Sequence, residues 1–150
     1  FEVLYQQAFD MLPAPFDGLG VYANYSYTDS DVMEFKPEAN PYNLGGLSKD
    51  IANLTLWYEK NGFDARVSYN YRSEYTGINS WLPSQVNLNA AETTVNASIG
   101  YQVTDNLRLT IQGQNLTNEA SENYWDNDYN KLAFNVEWGR TLLVGFQLTL

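Results

Sequence analysis

From Phe63 to Thr76 the chain alternates almost without a break. Phe63, Ala65, Val67, Tyr69, Tyr71 and Tyr75 take the odd positions, and Asp64, Arg66, Ser68, Asn70, Arg72 and Glu74 the even ones. Side chains of a strand point to opposite faces with a period of two, so this run predicts a β-strand with one apolar, aromatic face and one polar, charged face. Its length narrows the choice further. At about 3.3 Å per residue Phe63 to Tyr75 rises roughly 40 Å, or about 30 Å along the axis of a barrel whose strands tilt by about 40°. That is about the thickness of a bilayer's hydrocarbon core, and it exceeds the five or six residues typical of a soluble strand.

Six further segments repeat the pattern: Phe1 to Asp10, Gly18 to Thr28, Ile51 to Lys60, the run around Val95 to Val103, Leu107 to Gln114, and Phe134 to Leu150. In the last, Phe134, Val136, Trp138, Leu142, Val144, Phe146, Leu148 and Leu150 share one parity, which predicts a single long strand. No segment reads as a helix. The connections alternate between short and long. Met11 to Asp17, Lys60-Asn61-Gly62 and Thr104-Asp105-Asn106 are short turns, the second an Asn-Gly hairpin signal. Asp29 to Asp50, Gly77 to Glu92 and Glu119 to Lys131 read as long loops. Short periplasmic turns opposite long extracellular loops are the asymmetry of outer-membrane barrels. With a periplasmic C-terminus, seven strands begin outside and every short turn falls inside. Seven is an odd count, and an open sheet leaves backbone groups that lipid cannot satisfy, so the expectation is part of a larger barrel.

Composition excludes other classes. Eight Lys and Arg against 18 Asp and Glu give a net charge of −10, without the basic footprint that nucleic acid requires. The chain has no Cys and no His, which removes thiolate zinc sites, disulfides and the usual general base. Tyr, at 12, outnumbers Phe and Trp, and such rings suit a membrane interface. No run reaches the 18 apolar residues of a membrane-spanning helix, and FEVLYQQAFD is not a signal peptide. The expectation is a mature protein or an internal or C-terminal piece.

The segments YQQAFDMLPAPFDGLGVYANYSYTDS, LSKDIANLTLWYEKNGFDARVSYNYRSEYTG, VTDNLRLTIQGQNLTNE and WGRTLLVGFQLTL resemble the closing portion of TonB-dependent outer-membrane receptors. The Asn115 to Glu119 run resembles the end of that family's penultimate strand, and Gly139-Arg140 the opening of its final one. PFDGLGV and NYRSEY are similar to a branch of the family linked to carbohydrate uptake. The resemblance implies an all-β, antiparallel transmembrane β-barrel of 22 strands, with residues 1–150 as about seven C-terminal strands. It further implies a plug domain of the same polypeptide inside the barrel, outer-membrane lipid and lipopolysaccharide around it, and import of a scarce nutrient, carbohydrate or metal chelate, with energy from the TonB complex. It implies no cofactor and no catalysis. Leu150 stands where the family usually ends on an aromatic residue.

Ligand-contact candidates follow from chemistry and placement. Tyr124, Trp125, Asp126 and Asp128 in the third long loop set aromatics beside carboxylates, a mixture suited to sugar hydroxyls or, through oxygen ligands, Ca²⁺; the full EF-hand pattern is missing. Trp81 and Asn87 play the same part in the second loop. Trp57 and Tyr22 on the polar side suit stacking on sugar rings or packing against a plug. Arg66 and Arg72, with Asp64, Glu74, Arg108 and Glu137, line a solvated wall as i, i+2 charge pairs or touch substrate. The sequons at Asn24, Asn53, Asn96 and Asn115 fall within expected strands, where glycosylation is disfavoured. No nucleophile elbow, P-loop or dinucleotide fingerprint is present, and no spacing selects a carboxylate pair such as Glu59 with Glu74. The rival architecture is an extracellular, aromatic-rich β-sandwich that binds carbohydrate, which needs a dry centre between two sheets.

Overall fold

The computed structural model describes residues 1–30, 45–78, 86–126 and 128–149. Its strands are β1 (Glu2–Ala8), β2 (Leu19–Tyr27), β3 (Asp50–Lys60), β4 (Phe63–Arg72), β5 (Tyr75–Ile78), β6 (Val86–Asn89), β7 (Glu92–Thr104), β8 (Leu107–Gln114), β9 (Ala120–Trp125), β10 (Leu132–Glu137) and β11 (Thr141–Leu148), with a 3-10 turn at Phe16–Gly18. Seven of them form an antiparallel sheet in the order β1-β2-β3-β4-β7-β8-β11, as the seven alternating segments predict. The sheet is not closed: β1 and β11 are its edges.

Register carries the two faces across the sheet. Val21, Leu56, Val67, Ala97, Gly113 and Leu142 form one cross-strand row, and Tyr58, Ala65, Ile99, Ile111 and Val144 another. Phe63, Tyr101, Leu109 and Phe146 close the apolar side at the turn end, while Tyr25 and Tyr71 flank Ala52 at the other. The eight residue steps from Phe63 to Tyr71 span about 26 Å, or about 20 Å along a barrel axis, close to the apolar band of an outer-membrane barrel. The opposite face carries Asn24, Asn53, Asn70 and Thr94 in one row, and Tyr22, Thr55, Ser68 and Asn96 in the next.

The apolar side lies bare. Leu142, Val144 and Phe146 are 72%, 82% and 77% exposed, and among the described residues the buried hydrophobic side chain is Leu88, at 8%. A sandwich would fold these faces together, since each such side chain left in water forfeits about 1.5–3 kcal/mol. A contiguous apolar face this wide requires an apolar surrounding.

Turns and chain ends sort as the parity requires. Asn61 and Gly62 both have positive φ, 51° and 77°, the twist that a two-residue hairpin needs. Thr149 N–H donates to Asn106 O and Asn106 Nδ2 to Thr149 O, so the C-terminus sits at the short-turn end. The Phe1 ammonium donates to Tyr27 O at the other end.

That other end differs from the sequence reading in three ways. The strand expected over Phe63 to Thr76 is interrupted at Ser73-Glu74. The strand expected over Phe134 to Leu150 is two strands in two sheets, divided at Trp138–Arg140 where Gly139 has φ +76°. Leu150 lies outside the described residues. The stretches read as loops at Gly77 to Glu92 and Glu119 to Lys131 contain β6, β9 and the outer half of β5, and these three strands with β10 make a second sheet in the order β10-β9-β6-β5. This order repeats β11-β8-β7-β4, so the second sheet prolongs four barrel strands beyond a kink.

Asn115 holds that kink. It and Asn118 take positive φ, 50° and 57°, a region Asn tolerates better than most residues. Asn115 Nδ2 donates to Glu119 O at 3.0 Å and to Gly139 O at 3.1 Å, and its Oδ1 accepts from Glu119 N–H at 2.8 Å, joining the two bends. Arg140 Nε adds a bond to Leu116 O at 2.9 Å.

Two outcomes follow for the protein embedded in a lipid bilayer. Val67→Arg or Tyr69→Arg destabilises it by about 2–4 kcal/mol in vesicle-reconstituted unfolding, with Ser68→Arg clearly milder; equal tolerance at positions 67 and 68 contradicts the assigned faces. Asn115→Ala removes four side-chain hydrogen bonds and places alanine at positive φ, costing about 2 kcal/mol or more and raising amide exchange at Glu119; unchanged exchange there contradicts the hinge role.

Candidate functional site: the polar wall and outer mouth

The polar face of the large sheet is concave. A groove of about 470 Å³ runs along it, lined by Arg66, Ser68, Thr94, Asn96, Ser98, Gln112 and Gln114, with Asn115 at its outer end. Thr55 and Ser68 hydroxyls share a 2.9 Å bond, and Asn70 Nδ2 reaches Thr94 Oγ1 at 3.4 Å. The wall is therefore wet in character, built of neutral donors and acceptors.

Its charges are mostly engaged. Arg108 pairs with Asp64 rather than leaving Asp64 to Arg66, two residues away as the i, i+2 reading had it. Glycine makes room for that pair, because a Cβ on Gly100 would strike both side chains. Gly20 likewise lies under the Trp57 indole, so Trp57 covers a bare stretch of β2 with one side of its ring. Lys60 pairs with Asp17 at the turn end. Arg66 stands in register between Trp57 and Ser98, exposed, with no acidic partner among the described residues.

Arg72 is engaged by the chain itself. Its Nε donates to Ser48 Oγ at 2.6 Å, a terminal nitrogen donates to Gly46 O at 2.9 Å, and the guanidinium lies 3.8 Å from the centre of the Tyr75 ring. It anchors the segment around Gly46 to the barrel rim. The contact with Tyr75 also puts residues 72 and 75 on one side, whereas uninterrupted alternation would oppose them; the break at Ser73-Glu74, where Asp50 N–H donates to Ser73 Oγ, inverts the parity. The sequence reading placed Tyr75 with the apolar set for lack of that break.

The third hairpin gathers the remaining candidates. Tyr124 donates to Glu122 Oε2 at 2.6 Å and meets the Tyr129 ring edge-on at 4.9 Å, and Tyr129 donates to Glu74 across the second sheet. Burial, then the Glu74 carboxylate, pushes the Tyr129 phenol up to about 12. Asp126 pairs with Lys131 at 3.0 Å, which holds that ammonium above its ordinary value. Asp128 accepts from Asn130 N–H and Nδ2, which hold its carboxyl below the ordinary value. Asp126 and Asp128 thus close a tight turn, and among the described residues no group of three or more His, Cys, Asp or Glu is placed to hold a metal. Trp125 is exposed in register with Asn87. Trp81 and Asn127 lie outside the described residues. Tyr75, Asn89 and Asn123, not singled out by sequence reasoning, share one row of the second sheet; only the inverted parity brings them to the Arg72 side.

Comparison with known proteins agrees with this geometry. A family model described as TonB dependent receptor-like, beta-barrel matches residues 1–116. No curated protein and no solved structure matches the chain. Members of the family are transporters of the bacterial outer membrane, and a bare apolar face opposite a concave polar one is what such a wall requires. The chain belongs to the TonB-dependent receptor β-barrel family and forms part of the barrel wall of an outer-membrane transporter.

Proposed function

We propose that the chain forms the C-terminal strands of a 22-stranded receptor that imports a neutral, hydroxyl-rich nutrient, an oligosaccharide, with energy delivered through TonB to a plug domain in the lumen. The observation that carries the substrate class is the groove wall. Ser68, Thr94, Asn96, Ser98, Gln112 and Gln114 offer neutral hydrogen-bonding groups, while Arg72, Arg108 and Lys60 are taken by partners of the chain itself. An anionic metal chelate calls for spare cations, and only Arg66 supplies one on this wall among the described residues. Lipid meets the apolar rows, and lipopolysaccharide the level of the kink, where Trp138 is exposed.

The test is uptake by cells that express the complete receptor as their sole route. Oligosaccharide uptake is expected to vanish on deletion of tonB or addition of a protonophore, and to stay within about twofold in Arg66→Gln. Uptake of ferric chelates instead, falling more than tenfold in Arg66→Gln, contradicts the substrate assignment.

A further inference from the structure

The short turns differ in character. Lys60-Asn61-Gly62 and Thr104-Asp105-Asn106 are polar, whereas Met11-Leu12-Pro13-Ala14-Pro15-Phe16 carries no charged side chain and leaves Met11 68%, Leu12 39% and Phe16 56% exposed. The backbone fixes the shape of this apolar turn. Phe9 N–H donates to Leu19 O at 2.8 Å, Leu12 N–H to Phe9 O and Phe16 N–H to Pro13 O, both at 3.0 Å, and Pro13 and Pro15 each lock one φ. The three side chains therefore stay in contact with whatever medium surrounds the turn, and an apolar cluster held out in this way marks an interaction surface.

Position identifies the medium. Lys60 is the register partner of Phe63, and cross-strand partners lie on one face, so Lys60 projects from the apolar side at its lower edge. Its ammonium bonds Asp17 Oδ1 at 2.5 Å, drawing the end of the Met11 turn to that edge. The apolar side finishes there in a band of rings: Tyr58 and Phe63 lie 6.0 Å apart between centres, and Tyr101, in register with Phe63, is exposed. Aromatic rings beside a lysine mark the headgroup level of a bilayer, where the lysine stem follows the apolar surface and its ammonium reaches polar groups. The turn is thus continuous with the face that lipid covers. On the lumen side the same end carries Glu59 and the Asp64–Arg108 pair, which offer apolar side chains no cover.

We infer that the Met11–Phe16 turn is a lipid-binding loop that buries Met11, Leu12 and Phe16 in the periplasmic leaflet and fixes how deep the barrel wall sits. Interfacial segments of this kind place apolar side chains about 5–10 Å into the boundary between headgroups and acyl chains. Lys60 balances Asp17, so that pair brings no net charge against the lipid phosphates. The polar turns at Asn61 and Asp105 stay in water. The identity of the imported compound has no bearing on this role.

The experiment places nitroxide labels singly through Leu12→Cys, Phe16→Cys, Val67→Cys and Asp105→Cys, with the protein in phosphatidylcholine nanodiscs, whose two faces are both open to reagents. Collision rates are measured with oxygen and with a neutral nickel complex. The oxygen-to-nickel ratio at positions 12 and 16 is expected to exceed that at 105 by at least about fivefold, and to stay below that at 67, deeper in the bilayer. Met11→Cys supplies a further position should either turn variant fail to fold. Nickel access at 12 and 16 equal to that at 105 puts the turn in water and overturns the proposal. Exclusion of both reagents at 12 and 16 puts the turn against protein, a partner or a second copy, and overturns it equally. A low ratio at 67 as well removes the lipid face and the anchor together, whereas a high ratio at 67 with wet labels at 12 and 16 removes the anchor alone.

Discussion

Backbone hydrogen bonding in a medium without water governs this structure. A strand in hydrocarbon has no solvent to satisfy its N–H and C=O groups, so they are met by neighbouring strands through an unbroken ladder. The seven-stranded sheet supplies that ladder from β1 to β11, with register slipping only beside the Thr104 turn. Once the ladder is fixed, alternation does the rest. Every odd residue of β4 faces the same way as its partners on β3 and β7, and one face becomes predominantly apolar, with Lys60 and Thr93 at its two ends.

The same constraint ends where the membrane ends. Beyond Arg72 the ladder breaks, Ser73 bonds back to Asp50, and the chain resumes as a narrower sheet in which Asn115 and Gly139 absorb the bend. Water is available there, so polar side chains can replace backbone pairing. Tyr129 on Glu74, Arg72 on Gly46 and Ser48, and Asp126 on Lys131 are contacts of this kind. Each fixes a segment at the mouth, whereas the wall below is held by its ladder.

The transmembrane part was legible because a period of two, repeated seven times, leaves little choice of fold, and because Asn61-Gly62 and the lengths of the connections set the polarity of the hairpins. The outer sheet was not legible for physical reasons. β5 and β6 are four residues long, too short for a period to register, and β9 mixes Ser, Glu, Asn and Tyr because both of its faces are partly wet. Trp138-Gly139-Arg140 keeps hydrophobic parity through a bend that only the φ of Gly139 reveals. Site residues suffered accordingly. Arg66 and Trp57 stand on the polar wall where alternation puts them, but Arg72, Asp126 and Asp128 hold the chain to itself, and the row of Tyr75, Asn89 and Asn123 emerged only with the inverted parity after Ser73.

The central claim is that odd residues of β4 meet acyl chains while even residues face an aqueous, filled interior. Nitroxide labels placed singly from residue 63 to 72 of the complete receptor in vesicles test it most directly, through their collision rates with oxygen and with a polar nickel complex. The account predicts an oxygen maximum at every odd position and low oxygen access at every even one, with the contrast greatest near Val67. Uniform accessibility along the strand, or oxygen maxima at the even positions, would contradict it.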